Sequence, residues 1–514
     1  MIQIILSDKA YENDVYPLVK AFYPNEIIKV YSEKEETKVE QSDSWMIDIA
    51  LENHNNKGEI VANMAEIYII RVLFHPELIS ITMVNPAGEE GIQSIDTLEI
   101  EDQKSQYKNA MKRLLYKMLS HKLNKKLPWG ILTGIRPTKL VYEMLEQGFT
   151  EEKIRLQMQE EYLCSLEKIQ LSIEIARREK KLLEDMDYRN GYSLYIGIPF
   201  CPSTCLYCSF PSYSIERFSN YVDRYLCALH KEIAYGATCF PDKKLTTVYF
   251  GGGTPTTLSA EQLDKLIESV KKHFDFTHVR EFCVEAGRPD SITREKLVVL
   301  KKRGVNRISI NPQSMHQKTL DLIGRKHSVE QIREAFTMAR AIGHDNINMD
   351  IIIGLPGENV IDVKETLTEI EKLNPEGLTV HTLAIKRAAR LNTDKDNYTE
   401  LQATDTSDML EATFEFAKNN DYLPYYLYRQ KNMADNLENI GYARYGLEGL
   451  YNILIMEEKQ TILALGAGAM SKFVFHNENR IERVDNVKSV MDYISRIDEM
   501  IQRKKDFLGK NRKL

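Results

Sequence analysis

Six short apolar segments, spread over residues 191–400 and separated by amphipathic stretches, limit what this chain can fold into more than any other feature of its sequence. They read SLYIGIPF, TTVYFGGG, EFCVEAG, RISINPQS, NINMDIIIGL and GLTVHTLAI. Apolar runs of this length suit strands buried on both faces, and the stretches between them space their apolar residues three and four apart, as helices do. Strand and helix in alternation need crossover connections, which make the strands parallel. The fixed right hand of such crossovers curls the sheet toward a barrel. The expectation is a partial (β/α)6 barrel within an α/β protein. Chemistry in these sheets gathers at the carboxyl ends of the strands, so the residues closing each segment are the first candidates for function.

At 514 residues the chain exceeds one ordinary core of about 150 residues. Residues 1–101 carry β-like runs such as IQIIL, EIIKVY and IYIIRVLF between charged or Asn-rich stretches, which predicts a small α/β domain. Residues 102–190 change to helical spacing, as in KNAMKRLLYKMLSHKL, around a basic GIRPTK turn. Residues 401–514 predict a mostly helical C-terminal domain containing an aromatic loop, PYYLYRQK. A net charge of −7 argues against a dedicated nucleic-acid binder, whose phosphate contacts need a surplus of Lys and Arg. No run is long enough to span a membrane, and the opening MIQIILSDKAYENDVYPL lacks the basic start of a secretory signal. Seven cysteines are an odd count for a disulfide framework, and the expectation is a cytoplasmic protein.

Three of those cysteines, Cys201, Cys205 and Cys208, fall within eight residues at the end of the first segment. Thiolates are soft ligands that suit iron–sulfur clusters and zinc. Structural zinc wants four closed ligands, usually as two close pairs, and no partner pair lies nearby; Cys164, Cys227, Cys239 and Cys283 are isolated. Three thiolates on a four-iron cluster leave one iron open to a cofactor. The spacing favours that open cluster over a zinc knot or unrelated structural cysteines.

A CxxxCxxC loop with an aromatic before its last cysteine resembles the radical S-adenosylmethionine (SAM) superfamily. The IPFC approach, Phe210 and the run from Gly251 to Thr256 are similar to the branch containing oxygen-independent coproporphyrinogen III oxidases. WGILTGIRPTKL and YYLYRQKNMADNLENIGYA resemble its HemZ-type coproporphyrinogen dehydrogenases, so the likeness covers most of the chain. The resemblance implies a radical SAM barrel with a [4Fe-4S] cluster on Cys201, Cys205 and Cys208 and one or two molecules of SAM. It implies cofactor contacts from Tyr195, Phe210, Gly252, Gly253, Thr254, Glu285, Gln313, Arg325 and Asp350. Glycines admit close backbone approach, a carboxylate in an apolar strand is costly without a partner, and Arg grips carboxylates with paired bonds. Lys386, Arg387 and Arg390 after the sixth segment, with Tyr425, Tyr426, Tyr428 and Arg429, offer cations and flat aromatic surface to a substrate bearing propionates.

The activity so implied is oxidative decarboxylation of coproporphyrinogen III to protoporphyrinogen IX, in which propionates become vinyl groups. A reduced flavodoxin or ferredoxin-type protein would donate electrons, and an external acceptor would take them from the tetrapyrrole substrate. Where the well-studied oxidases resemble CxxxCxxCxC, this chain has Phe210 in place of the fourth cysteine, an aromatic shared with heme-chaperone relatives. Heme binding and transfer is therefore the second reading, and another radical reaction on a tetrapyrrole, such as anaerobic heme ring opening, the third.

Overall fold

The computed structural model describes residues 1–24, 26–33, 68–74, 78–84, 90–96, 104–134, 136–208, 212–383, 406–429 and 437–511. They divide into two compact units. The first, drawn from Met1–Pro137 and Glu146–Ser172, holds strands β1 (Ile2–Leu6), β2 (Ile28–Ser32), β3 (Tyr68–Phe74), β4 (Leu78–Val84) and β5 (Glu90–Asp96). Their order is β2-β1-β3-β4-β5, with β1 parallel to β2 and β3 and the last three strands an antiparallel meander. The helix Glu12–Phe22 carries the chain from β1 to β2. Its buried residues Val15, Leu18, Val19 and Phe22 recur three and four apart, so one stripe joins a core with Ile4, Leu6, Ile70, Val72, Met111, Leu115 and Leu119. The WGIL stretch belongs to this unit. Trp129 is fully buried, and Gly130, at φ +53°, passes so close to the Tyr162 carbonyl that a Cβ would lie 2.0 Å from its oxygen.

The second unit, drawn from Thr138–Leu145, Ile173–Arg429 and Glu438–Leu514, contains the six apolar segments as strands. They are β6 (Gly191–Ile198), β9 (Lys244–Gly252), β10 (Glu281–Gly287), β11 (Arg307–Ile310), β12 (Ile347–Ile353) and β13 (Gly377–Thr382), with β7 (Phe200–Cys201) and β8 (Tyr213–Ser214) forming a separate short ladder. All six pair in parallel. A helix follows each: Ile215–Gly236, Ala260–His273, Arg294–Lys302, Val329–Ile342, Val360–Leu373 and Thr406–Asn419. This is the expected partial (β/α)6 barrel. Its helices begin where local chemistry starts them, with capping boxes at Ser259/Gln262, Ser328/Gln331 and Asn359/Asp362.

The C-terminal segment supplies the expected helices Leu450–Glu457, Val490–Ser495 and Ile497–Lys510. It also adds strands that the sequence pattern did not announce: β14 (Leu423–Tyr428), β15 (Asn439–Ala443), β16 (Thr461–Leu465), β17 (Met470–Phe475) and β18 (Arg480–Asp485). They extend one continuous sheet on both sides, in the order β14-β15-β13-β12-β11-β10-β9-β6-β16-β17-β18. β16 lies parallel to β6, and the glycine-rich LALGAGAMSK is the β16–β17 turn. There Gly466, at φ +107°, approaches β6 so closely that a Cβ would lie 2.6 Å from the Gly197 carbonyl oxygen.

A fully buried ion pair fixes this turn. Glu232 accepts from Lys504 Nζ (2.8 Å) and Asn486 Nδ2 (2.8 Å) on one oxygen, and from the Gly466 amide (2.8 Å) and Tyr493 hydroxyl (2.5 Å) on the other. Every lone pair of the carboxylate is used, which is the condition for a buried charge to be tolerated. At the opposite strand ends, Glu281 on β10 accepts from the Leu450 (2.7 Å) and Tyr451 (3.1 Å) amides and so caps the helix Leu450–Glu457. No helix among the described residues is long and apolar enough to cross a membrane.

Candidate active site

Strand register sorts the barrel's side chains onto two faces. Tyr195 pairs with Tyr249, Tyr249 with Cys283, Glu285 with Ser309, Ser309 with Asn348, and Asp350 with Thr379. Most residues of one face are therefore polar, aromatic or glycine, while Leu194, Ile196, Val248, Phe250, Phe282, Val284, Ile308, Met349, Ile351 and Val380 between them are buried aliphatic or aromatic residues of the other. Segments that look uniformly apolar thus carry a polar face of period two.

The cysteine loop leaves the end of β6. Its base is closed by the β7–β8 ladder and by the Tyr213 amide on the Pro199 carbonyl (2.8 Å). Its far side is tied to the loop after β11, through the Leu206 amide to the Ile323 carbonyl (2.9 Å) and Ser203 Oγ to the Gly324 carbonyl (3.1 Å). Cys205 is buried and Cys201 and Cys208 are partly so; none of the three is in a disulfide. Burial pushes the Cys201 thiol up to about 11, against a hydrogen bond from Thr254 Oγ1 (3.5 Å). Arg288, just beyond β10, donates to Ser203 Oγ (2.8 Å), the Ser203 carbonyl (3.1 Å) and Cys205 Sγ (3.7 Å), and forms a two-bond pair with Asp290 (2.9 and 2.6 Å). Arg325 reaches the same loop. It donates to the Asn311 carbonyl and hydrogen-bonds Tyr207 and Cys205.

The glycine run ends β9 against this loop. The Gly253 amide donates to the Ile198 carbonyl and the Thr254 amide to that of Phe200, both at 2.7 Å. A Cβ on Gly253 would lie 2.6 Å from the Phe200 oxygen, and one on Gly251 would lie 3.0 Å from the Glu285 carboxylate. Only glycines permit this approach.

Glu285 accepts from the Tyr249 hydroxyl (2.5 Å) and the Gly252 amide. Burial, with the Asp350 charge adding to it, pushes its carboxyl up to about 7 despite those two bonds. Tyr249 stacks on Tyr451 (centroids 4.4 Å apart), and Tyr195 stacks beside both at 6.2 Å. Asp350 accepts from Asn348 Nδ2 (2.7 Å) and lies 3.7 Å from His381 Nε2, whose Nδ1 is 3.3 Å from the Tyr428 hydroxyl. Gln313, a non-glycine at φ +68°, is held in that conformation by two backbone bonds to β12 (both 2.9 Å).

Among the described residues, Ser309 Oγ, Asn311 Oδ1, Gln313 Oε1 and Arg325 Nε are buried without a hydrogen-bond partner. Each such group costs about 1–3 kcal/mol. These four lie around the end of β11, where a polar ligand could meet them. Three thiols in one loop, a glycine turn that a Cβ would fill and these unpartnered atoms together fit a [4Fe-4S] cluster with a nucleoside–amino acid cofactor such as SAM.

The structure therefore gathers Tyr195, Gly252, Gly253, Thr254, Glu285, Gln313 and Asp350 around the polar face and the cysteine loop. Arg325 sits on the cysteine loop itself, bound to Tyr207. Tyr426 is buried in β14 against Gly441, with a hydrogen bond to Thr379, and Arg429 is buried at the end of that strand. Phe210, Lys386, Arg387 and Arg390 lie outside the described residues. Sequence reasoning missed Tyr249, Arg288, His381 and Tyr451; for Tyr249 and His381 the period-two alternation was the available signal.

Residues 195–370 match the family model of the Radical SAM superfamily. The chain is 45% identical over 408 residues to the oxygen-independent coproporphyrinogen-III oxidase-like protein HemZ of Bacillus subtilis, covering 78% of this chain and 81% of that protein. It is 38% identical over 195 residues to the heme chaperone HemW of the same organism, covering 38% of this chain and 51% of that protein. Among solved structures, coproporphyrinogen III oxidase (HemN) from Escherichia coli shares the fold, with a TM-score of 0.50 and 24% identity over 63% of this chain and 73% of that one. A parallel sheet with its polar face ending on three clustered thiols, and likeness over most of the chain's length, lead to one placement: the chain belongs to the radical SAM superfamily, in the family of HemZ-type, oxygen-independent coproporphyrinogen-III oxidase-like proteins.

Proposed function

We propose that this chain converts coproporphyrinogen III to protoporphyrinogen IX without oxygen, turning two propionates into vinyl groups with loss of carbon dioxide. The observation that carries the reading is the polar face of the sheet, which carries Glu285 and Asp350 on strands parallel to β6, the strand that leads into the three cysteines. Similarity to Bacillus subtilis HemZ over most of both chains supports it. When bound, a [4Fe-4S] cluster on Cys201, Cys205 and Cys208 and one or two molecules of SAM supply the one-electron and hydrogen-atom chemistry that protein side chains lack. The cluster's electron would come from reduced flavodoxin or a ferredoxin-type protein, and the substrate's would go to an external acceptor.

The chain's own residues orient and shield. With the Gly253 and Thr254 amides already occupied, the glycine turn would meet the cofactor's amino group with carbonyl oxygens. Glu285 changes protonation near neutrality and would turn an oxygen to the cofactor when ionised. Gln313 Oε1 and Ser309 Oγ offer polar atoms that no other described residue uses. Tyr195 and the stacked Tyr249 and Tyr451 exclude water from the interior. Lys386 and Arg387, which follow β13 in sequence, would receive propionates with Tyr426 and Arg429.

Phe210 and the likeness to HemW favour a second reading, heme binding and transfer. One experiment separates them: anaerobic reconstitution, then reductant, SAM and coproporphyrinogen III, with product mass followed. Loss of two carbon dioxides with accumulation of 5′-deoxyadenosine is the expected result. Stoichiometric heme binding without any change in mass would overturn it in favour of a carrier, and 5′-deoxyadenosine formed only with heme would favour a ring-opening reaction.

A further inference from the structure

Arg288 is 3% exposed and stands three residues beyond Glu285, so one strand end presents a carboxylate to the polar face and a cation to the cysteine loop. Its guanidinium is divided between two partners. Nε and Nη2 face the two Asp290 oxygens at 2.9 and 2.6 Å, a fork-to-fork pairing that fixes the plane of the group. That leaves Nη1 aimed at the loop, where it meets the Ser203 carbonyl, Ser203 Oγ and Cys205 Sγ. The backbone holds the same aim: the Arg288 amide closes on the Ala286 carbonyl (2.6 Å), and the Arg288 carbonyl accepts from the Ser291 amide (2.9 Å).

A surface ion pair would not be arranged this way. A buried cation whose free edge points at a ligand sulfur stabilises negative charge on that sulfur, and reduction of a [4Fe-4S] cluster adds one electron that is shared with its thiolates. N–H groups and positive charge beside the sulfurs therefore favour the reduced form and raise the potential. Asp290 opposes this in part, because its charge stands on the far side of the same guanidinium.

We propose that Arg288, held in place by Asp290, is a positioning residue that seats the Cys205 sulfur and raises the reduction potential of the cluster. The inference rests on the reading that Cys201, Cys205 and Cys208 hold a [4Fe-4S] cluster. A clamp with only a structural role would alter how firmly iron is kept but not the potential of the cluster that remains. The two members of the pair also carry opposite predictions, which a structural clamp does not share.

The test is an anaerobic redox titration of the reconstituted full chain, followed by absorbance and electron paramagnetic resonance, for wild type, R288Q and D290N. Iron and sulfide content are measured first. With R288Q, the ratio of reduced to oxidised cluster at the wild-type midpoint should fall about tenfold, the size of one charge-assisted hydrogen bond. With D290N, which keeps Arg288 and its bonds to the loop, the ratio should rise. An unchanged or higher ratio in R288Q, or an unchanged or lower one in D290N, overturns the proposal. If R288Q fails to keep its cluster, D290N alone decides. If wild type takes up no four-iron cluster at all, the cluster reading itself has failed, and the iron and sulfide assay shows this before any potential is measured.

Discussion

Replacing Glu285 by Gln tests the electrostatics of the barrel interior directly. Burial is the main cause that lifts this carboxyl from 4.5 to about 7, with the Asp350 charge adding to it and the bonds from Tyr249 and Gly252 opposing it. A folded-state pKa above the unfolded one means that the folded chain keeps a proton that the unfolded chain releases. The stabilising contribution is thus complete below about pH 4.5, declines as the pH rises, and is lost once the pH passes about 7. The gap between the two values corresponds to about 3 kcal/mol, which partial exposure of the side chain reduces to about 2 kcal/mol. Gln carries no such titration. Its misplaced amide costs the same at every pH, so the informative quantity is the slope. Urea unfolding of the cluster-free full-length chain, wild type and E285Q side by side, should show the stability of the variant relative to wild type growing by about 2 kcal/mol between about pH 5 and about pH 8. Taking the difference at each pH removes titrating groups common to both chains. Parallel curves, or a gap that narrows with rising pH, would refute the reasoning.

Further substitutions at two places probe packing, each with a control. K504M leaves the Glu232 carboxylate buried without its cation and should cost about 3–5 kcal/mol by chemical denaturation, with part of the loss recovered in the K504M/E232Q double variant. G253A forces a Cβ to within 2.6 Å of the Phe200 oxygen and should lower both stability and iron retained after reconstitution, whereas G134A, with nothing within 4 Å, should change stability by less than about 0.5 kcal/mol in the same assays.

The barrel was legible because its signals are local. Each of the six segments is apolar and flanked by helical spacing, and the three cysteines lie within one loop, so neither depends on a distant partner for recognition. β14 to β18 were not legible for the opposite reason. Segments such as TILAL and MSKFVF become strands because β6 and the neighbouring hairpin offer them an edge, and that edge is far away in sequence. Tyr249 and His381 were hidden by reading their segments as uniformly apolar, when their polar residues alternate. Arg288 and Asp290 carry no sequence signal that sets them apart; burial and the approach to Cys205 distinguish them. Arg325 was selected as a contact to the cofactor, and its place on the cysteine loop beside Tyr207 follows from the turn after β11, which no local pattern specifies.

The parallel pairing of β16 with β6 bears on how the protein is made. Ribosomal synthesis delivers the cysteine strand and the rest of the barrel long before Thr461–Leu465, so during that interval the outer edge of β6 has no neighbour. Closing a loop of that length is slow compared with forming the consecutive strand–helix units, and an unpaired strand edge is open to the wrong partners until it closes. The Lys504–Glu232 pair, joining residues 272 apart in sequence, completes later still. The strand that leads into the cysteine loop therefore takes its final support from segments far away in sequence, and removal of the helix Ile497–Lys510 is expected to lower the iron held after reconstitution, as read by iron and sulfide content.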